Sequence, residues 1–159
     1  MEIYENTKKS LACEIEKIKE NFNHTMTKEK LLEMAELSIK AKENSYSPYS
    51  KFRVGCCLLT AKGNLYLGTN VENISYGLTI CAERSAVCNA VANGEKNIVA
   101  AVITTDMEYE VSPCGACRQV LVEFGIENCF MMTLNNELSH LTNEELLPSG
   151  CKINHLKNK

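Results

Sequence analysis

The sequence lacks the features that would mark a membrane, secreted or nucleic-acid-binding protein. It has no apolar run of the roughly 20 residues that span a bilayer, no internal repeat and no low-complexity segment. Its start is charged throughout and lacks the apolar core of a secretory signal, which predicts a cytoplasmic location. Basic residues are not in excess, because the net charge is −3 at pH 7. A nucleic acid polymer is therefore not an expected partner, whereas a small nucleoside or nucleotide remains compatible.

What the chain does contain is the composition of one globular domain. Its 159 residues are 45% hydrophobic and 23% charged, which is enough to bury a substantial core. Residues 1–24 are predicted to form a helix with an apolar stripe of Leu11, Ile15, Ile18 and Phe22. This stripe packs either on its own subunit or on another subunit.

The rest of the pattern alternates helices and strands. A second helix is predicted to begin at an N-cap residue, Thr27, and to bury one apolar face. That face consists of Leu31, Leu32, Ala35 and Ile39. Four apolar segments are predicted to be strands: 52–60, 64–70, 98–105 and 129–134. The third is expected to be buried on both faces.

Two further helices are predicted between these strands. One begins near Cys81, and the other begins near Ser112 with Pro113 in the first helical position. Thr142 and Glu145 form the T-x-x-E pattern of a capping box for a short last helix. Strands that alternate with helices after an opening hairpin predict an α/β domain with a mixed sheet covered on both faces.

Nine cysteines are the main chemical signal. In a reducing compartment, cysteines are more often buried, catalytic or metal-bound than paired in disulfides. Cys114 and Cys117 have the C-x₂-C spacing with which one turn presents two sulfurs to a metal ion, and Cys81 opens the neighbouring predicted helix. A second C-x₂-C is absent, and the histidines lie near predicted termini or, for His140, in a predicted loop. Three protein ligands leave the fourth zinc position for water, which is typical of catalytic zinc.

The placement of these residues favours a catalytic over a structural metal. Cys81 and Cys114 fall at predicted helix N-termini, where unpaired N–H groups favour a thiolate. Glu83 can take a proton from a metal-bound water and deliver it elsewhere, a role for which a structural site has no use. The alternative is that the C-x₂-C is a pair of buried thiols. Cys13 and Cys151 have no assigned place, and four other cysteines are interpreted as small buried hydrophobes: Cys56, Cys57, Cys88 and Cys129.

Four motifs give the sequence a resemblance to a known family. They are "SPYSKFRVG", "GTNVENISYG", "CAERSA" and "SPCGACRQVL". Through them, residues 28–151 resemble the cytidine deaminase family, specifically the small homotetrameric type with three cysteine ligands for zinc. The resemblance implies a three-layer α/β/α fold with a mixed five-stranded sheet. It leaves residues 1–27 as an N-terminal helical extension, and 152–159 are expected to be a frayed tail.

The resemblance implies a hydrolase acting on a cyclic amidine C–N bond. It would convert cytidine and deoxycytidine to uridine and deoxyuridine with release of ammonia, in pyrimidine salvage. One zinc ion per chain would be bound by Cys81, Cys114 and Cys117. Glu83 would shuttle protons to N3 and to the leaving amine while a zinc hydroxide attacks C4 of the base. Arg84 would hydrogen-bond the sulfurs, because Zn²⁺ with three thiolates carries a net charge of −1.

The resemblance also implies the substrate contacts. Phe52 would pack on the base, the backbone of Ala82 would contact it, and Asn70 and Glu72 would hydrogen-bond the ribose. Spacing alone would favour a polar turn at Asn70 and Glu72. Cys151 lies near the position where the family often has an aromatic residue that reaches a neighbouring subunit's site.

Related enzymes differ from this chain in two motifs. Polynucleotide and deoxycytidylate deaminases generally have an H-x-E pattern at the position where this chain has Cys81. The "NVEN" motif of this chain also differs from the corresponding motif of blasticidin-type deaminases. Two alternatives stay open: a deaminase of another aminopyrimidine compound, and a non-catalytic, zinc-stabilised binding protein. Glu83 argues against the second, because a scaffold has no need of that carboxylate.

Overall fold

A mixed sheet of five strands forms the middle layer of the protein. The structure, a computed structural model, describes residues 2–18 and 25–151. The strands are β1 (Val54–Thr60), β2 (Leu65–Thr69), β3 (Ile98–Thr105), β4 (Asn128–Met132) and β5 (Leu138–Thr142). Their order is β2–β1–β3–β4–β5, with β3 and β4 parallel and the other neighbours antiparallel.

Helices cover both faces of this sheet. They are α1 (Glu2–Lys17), α2 (Lys28–Lys42), α3 (Ala82–Ala92), α4 (Gly115–Glu123) and the short α5 (Asn143–Leu146). Side chains of α1 and α2 share a buried apolar cluster with one face of the sheet, and those of α3 and α4 share a second cluster with the other face. The expected three-layer α/β/α fold is therefore confirmed.

Alternating side chains of the central strands fill the two apolar layers. Cys57 and Leu59 of β1 lie in the layer with α1 and α2, whereas Cys56 and Leu58 lie in the layer with α3 and α4. Residues of β3 divide in the same way, which explains why this strand is apolar at nearly every position. The prediction that Cys56, Cys57 and Cys129 are buried is confirmed, because each is at most 1% exposed.

Two glycines let the helices come close to the sheet. A Cβ atom at Gly55 in β1 would lie closer than 3.0 Å to the backbone of α2, and a Cβ atom at Gly68 in β2 would lie closer than 3.0 Å to the backbone of α3. Both helices therefore pack on the sheet through direct backbone contact. The contact at Gly68 matters for the chemistry, because α3 begins next to Cys81 and carries Glu83.

The first helix packs on the body of its own chain. Leu11 and Ile15 are fully buried in the apolar cluster that joins α2 to the sheet, and Ile18 is partly buried against it. Phe22, the fourth residue of the predicted stripe, falls outside the described residues. Of the two alternatives for the stripe, packing on the same subunit is the one that the described part supports.

The predicted division of the chain falls only partly within the described residues. The tail at 152–159 lies outside them, as do residues 19–24 of the predicted first helix. The division into an extension, 1–27, and a catalytic domain, 28–151, stays a prediction. In the part of the chain that the structure describes, no helix has the length and apolar character needed to cross a bilayer.

The second helix begins where the sequence predicts but buries a slightly different face. Thr27 is its N-cap, and the Thr27 hydroxyl accepts a hydrogen bond from the third residue of the helix. Leu32 and Ile39, predicted to be on the buried face, are only partly buried. Met34 and Ser38 are buried instead, because α2 is rotated towards the close approach at Gly55.

The C-terminal strand is where sequence patterns give least guidance. The resemblance implies a fifth strand, but no pattern located it, since every residue of β5 is half-buried. His140, predicted to lie in a loop, is in this strand, and its ring centroid is 4.8 Å from that of Phe130. The capping box of Thr142 and Glu145 at the start of α5 is confirmed.

Two further predictions about helix positions are wrong. Pro113 is not the first helical residue, because Cys114 has the extended backbone of an N-cap (φ −63°, ψ 162°) and α4 begins after it. Cys88 is not buried in the helix interior but exposed. The buried face of α3 is formed by residues on the opposite side of the helix: Ala82, Glu83, Ala86, Val87 and Ala90.

We expect Gly68→Ala to lower the free energy of unfolding by about 1–3 kcal/mol, the usual cost of overpacking. The added methyl group would force α3 away from β2. Urea denaturation of the variant beside the wild type measures the change. Gly77→Ala is the matched control, because a Cβ atom there meets no atom within 4 Å. Equal stability of the Gly68→Ala variant and the wild type would contradict the close backbone contact.

Candidate active site

Three cysteine sulfurs meet where two helices begin. Cys81 is the N-cap of α3 and Cys114 the N-cap of α4, while Cys117 lies in the first turn of α4. The Sγ atoms of Cys81 and Cys114 are 3.9 Å apart, and all three Sγ atoms lie within 4.8 Å of one another. The structure thus brings together three residues that the sequence places in two separate motifs.

The dimensions and chemistry of this sulfur group fit zinc. Tetrahedral Zn²⁺ with Zn–S bonds of about 2.3 Å holds its sulfurs about 3.8 Å apart. This spacing is close to the 3.9 Å between Cys81 and Cys114. Three thiolates leave one zinc position open for water or substrate. The N-cap position of Cys81 also puts its sulfur at the positive end of a helix, which favours the thiolate form of Cys81.

Arg84 offsets the negative charge of the sulfur group. Its Nη2 donates to Sγ of Cys81 at 3.4 Å and to the carbonyl oxygen of Thr79 at 3.2 Å. Hydrogen bonds from Cys117, Arg84 and Cys114 lower the pKa of Cys81 to about 5, against the opposing effect of burial. The interaction with Cys81, followed by burial, raises the pKa of Cys117. The guanidinium of Arg84 therefore stabilises negative charge on the Cys81 sulfur.

Glu83 is a buried carboxyl group beside these sulfurs. It lies in the first turn of α3, is 5% exposed and faces the same cavity as Cys81 and Cys114. Burial raises the pKa of Glu83, although its own backbone N–H and the Cys117 thiol donate hydrogen bonds to it. A raised pKa makes the carboxyl group easier to protonate than an ordinary glutamate, which suits a group that accepts a proton and then releases it.

The cavity above the sulfurs has the size of a small-molecule site. Its volume is about 230 Å³, just below the range of about 300–1,000 Å³ that is usual for small-molecule pockets. Its walls come from the ends of β1 and β3 and from the segments that precede α3 and α4. The predicted site residues that line it are Phe52, Asn70, Glu72, Cys81, Glu83 and Cys114.

The other predicted site residues lie behind the cavity wall. Cys117 and Ala82 are fully buried, and Arg84 approaches the sulfurs from outside the lining. Sequence reasoning missed Val54 and Thr105, which line the cavity. Period-two alternation along the strands could have found them, because the two residues are paired neighbours at the ends of β1 and β3.

Asn70 is buried and fixes the segment that forms one side of the cavity. Its Oδ1 accepts hydrogen bonds from the Ser45 hydroxyl at 2.6 Å and from the backbone N–H of Val54 at 2.9 Å. Its Nδ2 donates to the carbonyl oxygen of Phe52 at 2.8 Å. Because an amide carries two N–H donors, these contacts leave one donor for a ligand. Asn70 therefore shapes the cavity whether or not it contacts a ligand.

Glu72 is held in place by the segment before β1. Its carboxylate accepts hydrogen bonds from the backbone N–H groups of Tyr49 at 2.9 Å and Ser50 at 3.3 Å, and from the Ser50 hydroxyl. These bonds, the one from the Ser50 side chain foremost, lower the pKa of Glu72. Glu72 is therefore an ionised acceptor at the cavity wall at neutral pH, with lone pairs left for a further hydrogen bond.

Comparison with known proteins assigns the family. A family model for the cytidine and deoxycytidylate deaminase zinc-binding region matches residues 27–133, a span that contains every residue lining the cavity. The chain belongs to this deaminase family. The metal that the sulfur group fits by its dimensions is thus also the metal of the family.

Similar proteins cover most of this deaminase chain. The cytidine deaminases of Halalkalibacterium halodurans and Sporosarcina psychrophila are 42% and 44% identical to it over 115 residues, 71% of this chain and 87% and 85% of theirs. The crystal structure of the cytidine deaminase from Burkholderia pseudomallei matches with a TM-score of 0.72 at 36% identity. That match covers 75% of this chain and 97% of the other.

We expect the purified deaminase to contain one zinc ion per chain, and Cys114→Ala to lose most of it. Removing one of three thiolates leaves too few protein ligands to retain the ion. Metal analysis by inductively coupled plasma mass spectrometry measures the content. Cys88→Ala is the control, because Cys88 is exposed on the same pair of helices and lies outside the sulfur group. Full zinc content in the Cys114→Ala variant would refute the ligand assignment.

Proposed function

We propose that this protein hydrolyses cytidine and deoxycytidine to uridine and deoxyuridine with release of ammonia, in pyrimidine salvage. One observation carries the proposal: a buried carboxyl group, Glu83, faces the cavity immediately beside a zinc-binding group of three sulfurs. A metal that only stabilises the fold needs no such acid. The matched relatives are named cytidine deaminases, which supports the same substrate.

The residues of the chain divide the chemistry between them. Cys81, Cys114 and Cys117 would hold the zinc ion, which when bound lowers the pKa of a water molecule towards about 7. Glu83 receives the proton that the attacking water loses and delivers it to N3 of the base. It then takes the proton of the new hydroxyl group on C4 and delivers it to the departing amine, so that the C4–N bond breaks as the C4 carbonyl forms. One nucleoside and one water are consumed, and one uracil nucleoside and one ammonia are formed.

Arg84 and the helix ends tune the electrostatics of this step. Three thiolates on Zn²⁺ leave a net charge of −1, which weakens its pull on an oxygen ligand. The hydrogen bond from Arg84 to Cys81 withdraws charge from the sulfur, and so do the N–H groups at the starts of α3 and α4. We therefore assign to Arg84 the role of supporting the metal rather than of contacting substrate.

Substrate binding is assigned to the wall that faces the sulfurs. Phe52 would pack on the base, and the backbone of Ala82, at the start of α3, would contact it. The second N–H of Asn70 and the free lone pairs of Glu72 would bind the ribose hydroxyls. This assignment is supported by the cavity lining, which contains Phe52, Asn70 and Glu72 together with Cys81 and Glu83.

The proposal is tested by the fall in ultraviolet absorbance when cytidine or deoxycytidine is added to the zinc-loaded protein. We expect Glu83→Gln to lower kcat by about 10²–10⁴-fold, the usual contribution of a general acid–base group. The variant should keep its fold and zinc, because the amide has nearly the same shape as the carboxyl group. Turnover of the variant within a few-fold of wild type would remove Glu83 from the mechanism.

We expect cytidine and deoxycytidine to be good substrates, and free cytosine and cytidine monophosphate to be poor ones. Cytosine cannot form the ribose hydrogen bonds assigned to Asn70 and Glu72, so it loses binding free energy that the nucleosides gain. A 5′-phosphate would bring negative charge to a site that already contains Glu72, Glu83 and the anionic sulfur group. Comparing kcat/KM for the four compounds measures this selection.

Glu72→Ala provides the matched variant for the substrate series. It should lower kcat/KM for cytidine by about tenfold or more and the rate with cytosine by a smaller factor, since cytosine has no ribose to bind. Similar kcat/KM values for cytidine and its monophosphate would contradict the prediction. They would point to a cation at the cavity mouth, such as Lys51, which follows the serine that hydrogen-bonds Glu72.

We further infer that the protein acts as a homotetramer in the cytoplasm. An apolar loop beside the cavity is strongly exposed in the single chain, with Ile74, Tyr76 and Leu78 at 79%, 76% and 64% exposure. Apolar surface of this kind is usual at subunit interfaces. A reducing location is supported by the requirement that three ligand thiols stay reduced. No basic surface for a nucleic acid polymer is expected from the net charge of −3.

Sedimentation velocity should therefore give a species of four times the 17.7 kDa chain mass. Ile74→Asp should shift it towards smaller species, because a charge would be buried in the interface. Leu134→Asp is the control, since Leu134 is exposed at a different place, after β4. A fully active monomer at the assay concentration would refute the tetramer.

A further inference from the structure

A cluster of charged side chains lies behind the cavity wall, on the α2 side of the sheet. Asp106 accepts hydrogen bonds from Nε of Arg53 at 2.7 Å and from Nη2 of Arg53 at 3.1 Å, the two-point geometry of strong guanidinium–carboxylate pairs. The same carboxylate is 2.8 Å from Nζ of Lys42, which also donates to the carbonyl oxygen of Thr105 at 3.2 Å. Glu43 pairs with Nη1 of Arg53 at 2.9 Å. We name Lys42, Glu43, Arg53 and Asp106 the Asp106 cluster.

The Asp106 cluster stands directly behind residues that form the cavity wall. Phe52, Val54 and Thr105 line the cavity, and Arg53 and Asp106 are their immediate neighbours in sequence. Val54 and Thr105 are paired in the antiparallel ladder of β1 and β3. Successive side chains of an extended chain point to opposite faces. Arg53 and Asp106 accordingly contact the end of α2, while their neighbours face the cavity.

Burial and charge make this cluster different from an ordinary surface ion pair. The Lys42 side chain is only 6% exposed, and a buried ammonium group is stable only with a partner. Burial acts to raise the pKa of Asp106, but hydrogen bonds from Arg53 and Lys42 outweigh it and hold that pKa below its usual value. Two cations and two carboxylates leave the cluster neutral overall, so each charge is compensated locally.

The wall segment is thus held from two sides. On the cavity side, Asn70 hydrogen-bonds the backbone of Phe52 and of Val54. On the α2 side, the Arg53 side chain between them is tied to Asp106. Without the contact between Arg53 and Asp106, residues 52–54 would be fixed mainly through hydrogen bonds to their backbone atoms at the end of a strand. The Phe52 ring would then adopt its place in the wall for a smaller fraction of the time.

We infer that the Asp106 cluster positions the substrate-binding wall of the cavity, with Arg53 and Asp106 as positioning residues that act through Phe52, Val54 and Thr105 without contacting substrate. This inference rests on the proposed function. Apparent affinity falls in proportion to the fraction of molecules in the binding-competent state. Loosening the wall therefore raises KM, whereas a nucleoside that has bound still meets intact Glu83 and intact zinc ligands, so kcat is preserved.

The experiment compares Arg53→Gln, Arg53→Lys and Lys62→Gln with the wild type. Arg53 is 39% exposed, so its replacement leaves the buried Lys42–Asp106 pair in place. Lys62→Gln is the matched control, because it removes an ion pair to Glu95 at the opposite end of β1. Steady-state kinetics with cytidine give kcat and KM. The rise in Tm caused by a fixed concentration of uridine, the proposed product, reports binding without turnover.

For Arg53→Gln we expect KM to rise about three- to tenfold with kcat within twofold of wild type, and the uridine-induced rise in Tm to shrink. Arg53→Lys should recover part of the loss, since one ion pair replaces a two-point contact. Lys62→Gln should keep the wild-type KM. A lower Tm for Arg53→Gln with unchanged KM would overturn the inference. It would show that the Asp106 cluster stabilises the fold without positioning the cavity wall. A fall in kcat at unchanged KM would overturn it too.

These outcomes separate the inference from the proposed function. If the wild type and Lys62→Gln fail to turn over cytidine, the proposed function fails and this inference fails with it. If both turn over cytidine and Arg53→Gln behaves like them, only the positioning role is refuted.

Discussion

Three sulfurs that would bind zinc as thiolates must be held within 4.8 Å of one another, and the rest of the structure is arranged around this constraint. Thiolates this close repel strongly in a partly buried site. Two helix N-termini and the guanidinium of Arg84 supply the compensation that the chain itself offers. For both helices to begin at one point, α4 must cross over between the parallel strands β3 and β4, while α3 must press on β2 at Gly68.

Features that depend on neighbouring residues could be predicted from the sequence, and features that depend on distant ones could not. The Thr27 N-cap, the apolar run of β3 and the helix start at Cys81 each follow from a few adjacent residues. The position of strand β5 could not be predicted, because all of its residues are half-buried and its sequence does not alternate between apolar and polar residues. The hydrogen bonds between Arg53 and Asp106 could not be predicted for another reason, because they join residues that are 53 positions apart in the sequence.

The residues assigned to ribose binding also hold the cavity together, which affects how their variants should be interpreted. The Asn70 side chain hydrogen-bonds the backbone of the two residues that flank Arg53. The Glu72 carboxylate accepts hydrogen bonds from Tyr49 and Ser50. A substitution at either position removes a ligand contact and loosens a wall at the same time. The effects of substituting Asn70, Glu72 and Phe52 are not expected to be additive, because all three act on the segment 49–54. Comparing nucleoside with free base separates the two contributions, since only the nucleoside uses the ribose contact.

The exposed apolar loop connects the proposed assembly to the electrostatics of the metal site. Thr79, at the end of that loop, lines the cavity and offers its carbonyl oxygen to the same Arg84 nitrogen that bonds Cys81. An interface that covers Tyr76 and Leu78 would fix this carbonyl and exclude water from Arg84. A guanidinium with less water around it interacts more strongly with the sulfur, because screening falls. Assembly would in this way strengthen the charge compensation that lets three thiolates support a reactive metal.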